Sequence, residues 1–305
     1  MRTTDNIAVI DKYLSIVKSY YPDVSADTIT VFQDGYDHDV LLINTRQAFR
    51  FPRTKDHGKK DLVENIFLRE FAPSSPITVQ EMTGQADPKT GIEYQMYRYI
   101  QGVQLSTKIA STLTEQELAN IAIDMGKFLT TLHSFSLVEA RSMGMDELDP
   151  KTYWKYFESL FGKISVTIFS LLSTNEQRWI EELVKDYVSI TRDNPFELRV
   201  THSDLLAEHI VVDETTHKLN GVIDFSLRIA DPANDFKFFD RYAPIFLQTV
   251  YKNYLPVDEY FDQRRRFYAA YVPVVNLYES IERKDNKITE IYLTQLKEYI
   301  FQSSL

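Results

Sequence analysis

"VTHSDLLAEHIVVDETTHKLNGVIDFS", residues 200–226, sets His202, Asp204, His209 and Asp224 among short apolar runs. Burying charge next to strand-like sequence is unfavourable unless the charge is paired or used. "HIVVD" and "LNGVIDF" read as two short strands, and a hairpin of the two brings Asp224 near His209. Asp204 stays in the loop that leads in. One carboxylate is then free to act as a base, Asp204, and a second stands beside an imidazole, Asp224 with His209, able to hold a divalent ion.

The rest of the chain limits what such a site can be. Its 305 residues are 44% hydrophobic and 13% aromatic, enough for a sizeable core in one large or two modest domains. No run approaches the roughly 18 consecutive apolar residues of a membrane span. The N-terminus "MRTTDNIAVIDKYL" turns acidic and amphipathic where a signal peptide would stay apolar, so a cytoplasmic place and no membrane partner are expected. The chain has no cysteine, which agrees with that place and removes thiol nucleophiles, Cys-type zinc sites and disulfides. Any metal must be held by oxygen or imidazole. The net charge of −10, from 44 acids against 34 bases, repels nucleic acid and draws in cations, although such a charge also serves plain solubility.

Along the chain, Ile7, Ile10, Leu14 and Val17 lie at helical spacing, and Pro22 follows. "TITVFQDGYDHDVLLINTRQAFRFPR" alternates as an antiparallel meander, with a turn at Gly35 and an end at Pro52. "KKDLVENIFLREFA" is helical, and "ITVQEMT" with "GIEYQMYRYIQG" reads as a further hairpin around "GQADPKTG". From Thr114 the period changes: Thr114 and Glu117 form a capping box before a long helix, and more helical patterns occupy 152–191 and 258–301. The expectation is an α+β chain with a β-rich N-terminal lobe over residues 1–100 and a larger helical lobe over 101–305, the acidic hairpin at its mouth. The "RRR" run at 264–266 reads as a solvated helix face, and His133 and His217 lie too far off in sequence to count toward the site.

His202-x-Asp204-x-x-x-x-His209 followed by Asp224-Phe225-Ser226 resembles the catalytic loop and metal-binding Asp-Phe-Gly of the protein-kinase-like fold. It resembles the aminoglycoside phosphotransferase family more closely, where "IDF" is followed by an acidic D-P-x-x-D stretch; here that stretch is "ADPANDF", with Asp231 and Asp235. Order and spacing agree over about thirty-five residues, and a lone H-x-D would carry far less.

The resemblance implies a two-lobed protein-kinase-like fold and a small-molecule O-phosphotransferase that uses ATP or GTP with Mg²⁺. It gives Asp204 the part of catalytic base, His209 and Asp224 those of metal ligands, and His202 that of a brace for the loop. Asp231 and Asp235 would cap and anchor the next helix. "AFRFPR" is similar to the family's third strand, which places Arg50 on the nucleotide phosphates, with Arg53 as the alternative, and Glu64 as the carboxylate that orients it. "QMYRYIQG" is similar to the interlobe hinge: Met96 behind the base, the backbone of Tyr97 and Tyr99 at its edge, and Gly102 at the end. "FQDGYDHD", with Gly35, would cover the phosphates, on one glycine where protein kinases have three. Arg50 stands for a more familiar lysine, Ser203 for Gly or Asn, and Ser226 for Gly. Arg241 and Tyr242 stand where relatives often carry acids for substrate amines. The implied acceptor is an aminoglycoside, particularly of the 2″ type, handled by a monomer; macrolide phosphotransferases, kinases of sugars, amino alcohols or homoserine, and a non-catalytic nucleotide binder are the alternatives.

Overall fold

The computed structural model describes residues 4–33, 38–86 and 93–303. Helix α1 (Thr4–Tyr20) turns Tyr13, Ile16 and Val17 inward at the three-to-four spacing of one helix face. Strands β1 (Ile29–Phe32), β2 (His38–Ile43) and β3 (Gln47–Pro52) follow as the expected meander, and then α2 (Lys55–Phe71). After β4 (Thr78–Val79) come β5 (Met82–Ala86) and β6 (Glu93–Arg98). The antiparallel sheet has the order β1-β2-β3-β6-β5. Side chains alternate across it. Phe49, Phe51, Tyr94 and Met96 pack toward α1, whereas Arg50 and Gln95 reach residues of α2.

One expected pairing holds only in part. The end of "ITVQEMT" pairs antiparallel with β6 through Met82↔Tyr97 and Thr83↔Met96, as the hairpin requires, but its first half, β4, leaves the N-terminal sheet and pairs parallel with a later strand, β10, through Gly221↔Thr78 and Val222↔Val79. The cause is local. A Cβ at residue 221 would lie 2.6 Å from the Thr78 carbonyl oxygen, so glycine there lets the two backbones approach.

The larger part begins with β7 (Val103–Gln104), α3 (Thr107–Ala110) and α4 (Glu115–His133). The capping box forms: Thr114 Oγ1 accepts from the Glu117 N–H, and Glu117 accepts from the Thr114 N–H at 2.8 Å. Then come α5 (Leu137–Ser142), α6 (Tyr153–Ile168) and α7 (Thr174–Asp193), followed by β8 (Arg199–Thr201), β9 (Ile210–Val212), β10 (Leu219–Val222) and β11 (Arg228–Ala230). Helices α8 (Pro244–Lys252), α9 (Phe261–Glu282) and α10 (Asn286–Ser303) close the chain. A small sheet, β4-β10-β9-β7, fastens the acidic hairpin to the N-terminal part, and a large core packs Phe128, Leu132, Phe236 and Val274 below it. This is the two-lobed, protein-kinase-like α+β class expected. No helix among the described residues is long and apolar enough to cross a membrane.

The run at 264–266 is not a solvated face. Arg264 and Arg265 are buried; Arg264 pairs with Asp231 and Asp258, and Arg265 with Asp240 and Asp262, while Arg266 is exposed. These acids lie mostly on other elements, so a local reading of the run could not find them.

Candidate active site

Beyond β8 the backbone enters a tight loop. His202 is buried; its Nε2 donates to the Ile223 carbonyl at 3.0 Å, and its Nδ1 accepts from the Asp204 N–H at 3.3 Å. A carbonyl can only accept, so Nε2 carries the proton. Burial pulls the imidazole down to about 4 and keeps it neutral, as this double role requires. Ser203 adopts φ = +65°, a left-handed conformation that costs a non-glycine residue about 1–2 kcal/mol. Asp235 holds it there, accepting from the N–H groups of His202 and Ser203 at 2.8 Å each, while Asn234 Nδ2 donates to the Ser203 carbonyl at 2.8 Å. Asp204 then projects into the cleft. Desolvation raises its carboxyl above the usual range, against the lowering pull of His209 and Lys237.

A short turn, Ala207–His209, delivers His209 to the start of β9. His209 Nδ1 donates to the Asp204 carbonyl at 2.5 Å, leaving the Nε2 lone pair toward Asp224 Oδ2, 3.4 Å away. The hairpin thus brings His209 and Asp224 together as expected. Asp224 has φ = +62°, and its N–H donates to Gln80 Oε1 at 3.2 Å. Metal-bound histidines commonly donate their second ring N–H to a carbonyl in this way. Among the described residues no group of three or more His, Asp or Glu side chains could hold a metal alone. A two-ligand set fits a cation such as Mg²⁺, which takes one or two protein groups and fills its other positions with phosphate oxygen and water.

From the other wall comes Arg50, buried on β3. Its Nη2 lies 2.7 Å from both Asp61 and Glu64, and its Nη1 3.6 Å from Asp224 Oδ1. Its Nε has no hydrogen-bond partner. Asp61 also receives His38 Nε2 at 2.9 Å. Burial pushes Glu64 up to about 7 against the attraction of Arg50. One guanidinium facing three carboxylates leaves surplus negative charge, which a divalent cation complements. Arg53 instead engages Asp39 at 2.7 Å and the Gln33 carbonyl at 2.8 Å.

Arg50, Glu64, Tyr97, Asp204, His209 and Asp224 line one cleft of about 720 Å³. Burial lifts the Tyr97 phenol to about 12. Two expected residues are not brought there: Met96 packs toward α1, and Tyr99 donates its N–H to the Arg46 carbonyl at 2.7 Å; both line a separate groove with Tyr20 and Arg98. Gly35 lies outside the described residues. Arg241 lies over the Phe238 ring and Tyr242 packs at a tilt on Phe246; neither is among the residues that line the cleft, whose lining also includes Asp146, Glu208 and Arg228.

Sequence reading missed four residues. Asp61 lies three residues before Glu64 on the same helix face, a signal that was present. Gln80, His133 and Lys237 have no local signal. His133, set aside on sequence distance, is one bond from the loop: its Nε2 meets Asp235 Oδ2 at 3.0 Å, and its Nδ1 meets the Tyr254 hydroxyl at 2.5 Å. Asp231 does cap the turn after it, accepting from the Ala233 N–H at 3.1 Å, but Asp235 anchors the loop backbone and not the next helix.

The family model of the phosphotransferase enzyme family matches residues 28–256. Among solved structures, the chain is similar to the GDP and kanamycin complex of APH(2″)-IIIa, at 19% identity and a TM-score of 0.84, covering 94% of this chain and 98% of that one. It is similar to the streptomycin–ATP–APH(2″)-IIa ternary complex, at 19% identity and a TM-score of 0.69, over 93% and 95% of the two chains. It is also similar to the macrolide 2′-phosphotransferase MphH from Brachybacterium faecium, at 17% identity and a TM-score of 0.72, over 93% and 98%. At such identities the likeness establishes the shared fold.

Proposed function

The chain belongs to the phosphotransferase enzyme family, and we propose that it moves the γ-phosphate of ATP or GTP to a hydroxyl of a small cationic acceptor, first of all an aminoglycoside. The observation that carries this reading is the convergence of Arg50 from β3, Asp204 and His209 from the loop before β9, and Asp224 from just beyond β10 on one cleft. Phosphoryl transfer asks a protein for position and charge compensation more than for covalent chemistry. In this reading Asp204 accepts a hydrogen bond from the acceptor hydroxyl and takes its proton as the oxygen bonds to phosphorus and the bond from phosphorus to the departing diphosphate breaks. Its raised carboxyl suits a base. Arg50, clamped by Glu64 and Asp61, would meet the phosphates through Nη1, the atom that lies 3.6 Å from Asp224. His209 Nε2 and the Asp224 carboxylate would hold Mg²⁺, which when bound neutralises charge on the phosphate oxygens.

The surplus acid of the chain, with Asp146 and Glu208 in the cleft lining, suits an amine-bearing acceptor. A second reading has its own observation. Arg228 lines the same cleft and makes no ion pair among the described residues, which favours an acceptor with fewer amines, such as a macrolide. Diphosphate release, measured with ATP and with GTP against kanamycin, gentamicin, streptomycin, a macrolide and a set of small hydroxyl metabolites, decides. Stimulation by the first three supports the aminoglycoside reading and stimulation by the macrolide alone supports the second. Nucleotide binding with no stimulated release would make the chain a non-catalytic relative.

A further inference from the structure

Lys237 follows directly on the turn that contains Asp235 and is 3% exposed. Its Nζ has two hydrogen bonds, both long and both to carbonyls: Ser203 at 3.5 Å and Asn234 at 3.4 Å. It forms no ion pair among the described residues. Lysine is among the residues least often fully buried, and an ammonium without a carboxylate in contact is costly to bury. The structural need it would meet is already met, because Asn234 Nδ2 satisfies the Ser203 carbonyl at 2.8 Å. What Lys237 adds is charge. Burial lowers the ammonium while Asp235 and Asp204 hold it up, and Lys237 in turn lowers Asp204.

We propose that Lys237 is a positioning residue for phosphoryl transfer: its buried ammonium, 3.5 Å from the Ser203 carbonyl and not among the residues that line the cleft, fixes a positive charge beside the loop that presents Asp204. The role rests on the phosphotransfer reading above. In that reaction Asp204 must face both the acceptor oxygen and the incoming phosphate, a region already crowded with the carboxylates Glu64 and Asp224. A fixed cation beside the neighbouring Ser203 carbonyl biases the Asp204 side chain without competing for ligand. A methionine of nearly the same length would fill the space, relieve the buried charge and remove the bias.

The test compares wild type with Lys237→Met, Lys237→Gln and Lys237→Arg. Melting temperature, GDP affinity, and kcat and KM are read, with turnover followed both with kanamycin and as basal release to water. Lys237→Met is expected to melt at or above the wild-type temperature, to keep GDP affinity within about threefold and to lose kcat by at least about tenfold with KM little changed. Lys237→Arg should recover part of that loss. A folded Lys237→Met with kcat within about twofold of wild type overturns the proposal. Failure of both Lys237→Met and Lys237→Gln to fold would make the ammonium a structural strut and overturn it as well. Wild type that releases no diphosphate under either condition overturns the phosphotransfer reading and this role with it, whereas normal wild-type turnover unaffected in Lys237→Met removes Lys237 alone.

Discussion

Residues 200–235 hold two sets of ionisable side chains that differ in one respect. Asp204 and Asp224 leave 47% and 59% of their side chains exposed at the cleft. His202 and Asp235 are wholly buried, with His133 and Asp231 beside them at 1%. The exposed set has few partners and surplus negative charge. The buried set is closed on itself: Asp235 takes two backbone N–H groups and His133, Asp231 takes Arg264 and Tyr268, and His202 joins the loop to the hairpin. One set is free to meet a ligand because the other fixes the backbone that presents it. Substitutions should therefore separate, with stability lost from the buried set and turnover lost from the exposed one.

The largest effect expected is that of Asp235→Ala. It strands two buried N–H groups and the His133 ring, so denaturant unfolding should show a loss of about 3–5 kcal/mol. A loss under 1 kcal/mol, roughly what a surface change gives, would break the comparison at its base. The next effect is a pH dependence. His202 is held near 4 when folded, against an ordinary 6.5 when unfolded. Above 6.5 both states are neutral, so its contribution is intact; as pH falls toward 4 the unfolded chain takes up a proton that the folded chain refuses. Stability should drop by roughly 3 kcal/mol across that window, at 1.36 kcal/mol per pKa unit. His202→Gln, able to donate and accept at similar places, should flatten that part of the curve. Equal acid slopes in the two proteins would show that His202 protonates freely in the fold.

In the exposed set, Asp204→Asn should cut kcat by at least about a hundredfold while nucleotide affinity stays within a few-fold, as expected for a lost base. Its unfolding midpoint should barely move. Retained turnover would remove Asp204 from the mechanism, and a fall in stability like that of Asp235→Ala would move it into the buried set.

How much of this division the sequence carried follows from the range of each interaction. The hairpin that joins His209 to Asp224 was legible, because short apolar runs around a turn fix it locally. So was the Thr114–Glu117 box. The fold class followed from the switch in period near residue 114 together with the motif spacing. The buried set was not legible: Asp235 could be read only as a cap, since its partner His133 lies 102 positions away, and Arg264 looked like a surface residue for want of Asp231, 33 positions away. Strand β4 was misplaced for the same reason, its partner being Gly221. Period and turn chemistry report the near neighbours of a side chain, and burial depends on the far ones.

His209 stands between the two sets and gives the smallest expected effect. At 8% exposure it is nearly as buried as the second set, yet its Nε2 faces Asp224 in the first. The Asp204 carbonyl fixes a proton on Nδ1, so in the neutral ring the nitrogen on the cleft side is the acceptor. If it is a metal ligand, its chemistry differs from that of a carboxamide oxygen: Mg²⁺ prefers oxygen, and Mn²⁺ accepts imidazole more readily. His209→Asn should then preserve or improve the Mg²⁺ concentration needed for half-maximal turnover, while the advantage of Mn²⁺ over Mg²⁺ shrinks by a few-fold. The shorter side chain also gives up the bond to the Asp204 carbonyl, so a small loss of kcat common to both metals is expected and does not bear on ligation. The ratio of the two metal requirements does. A ratio unchanged in His209→Asn, with stability lowered, would assign His209 to the buried set and leave Asp224 to hold the cation with phosphate oxygens and water.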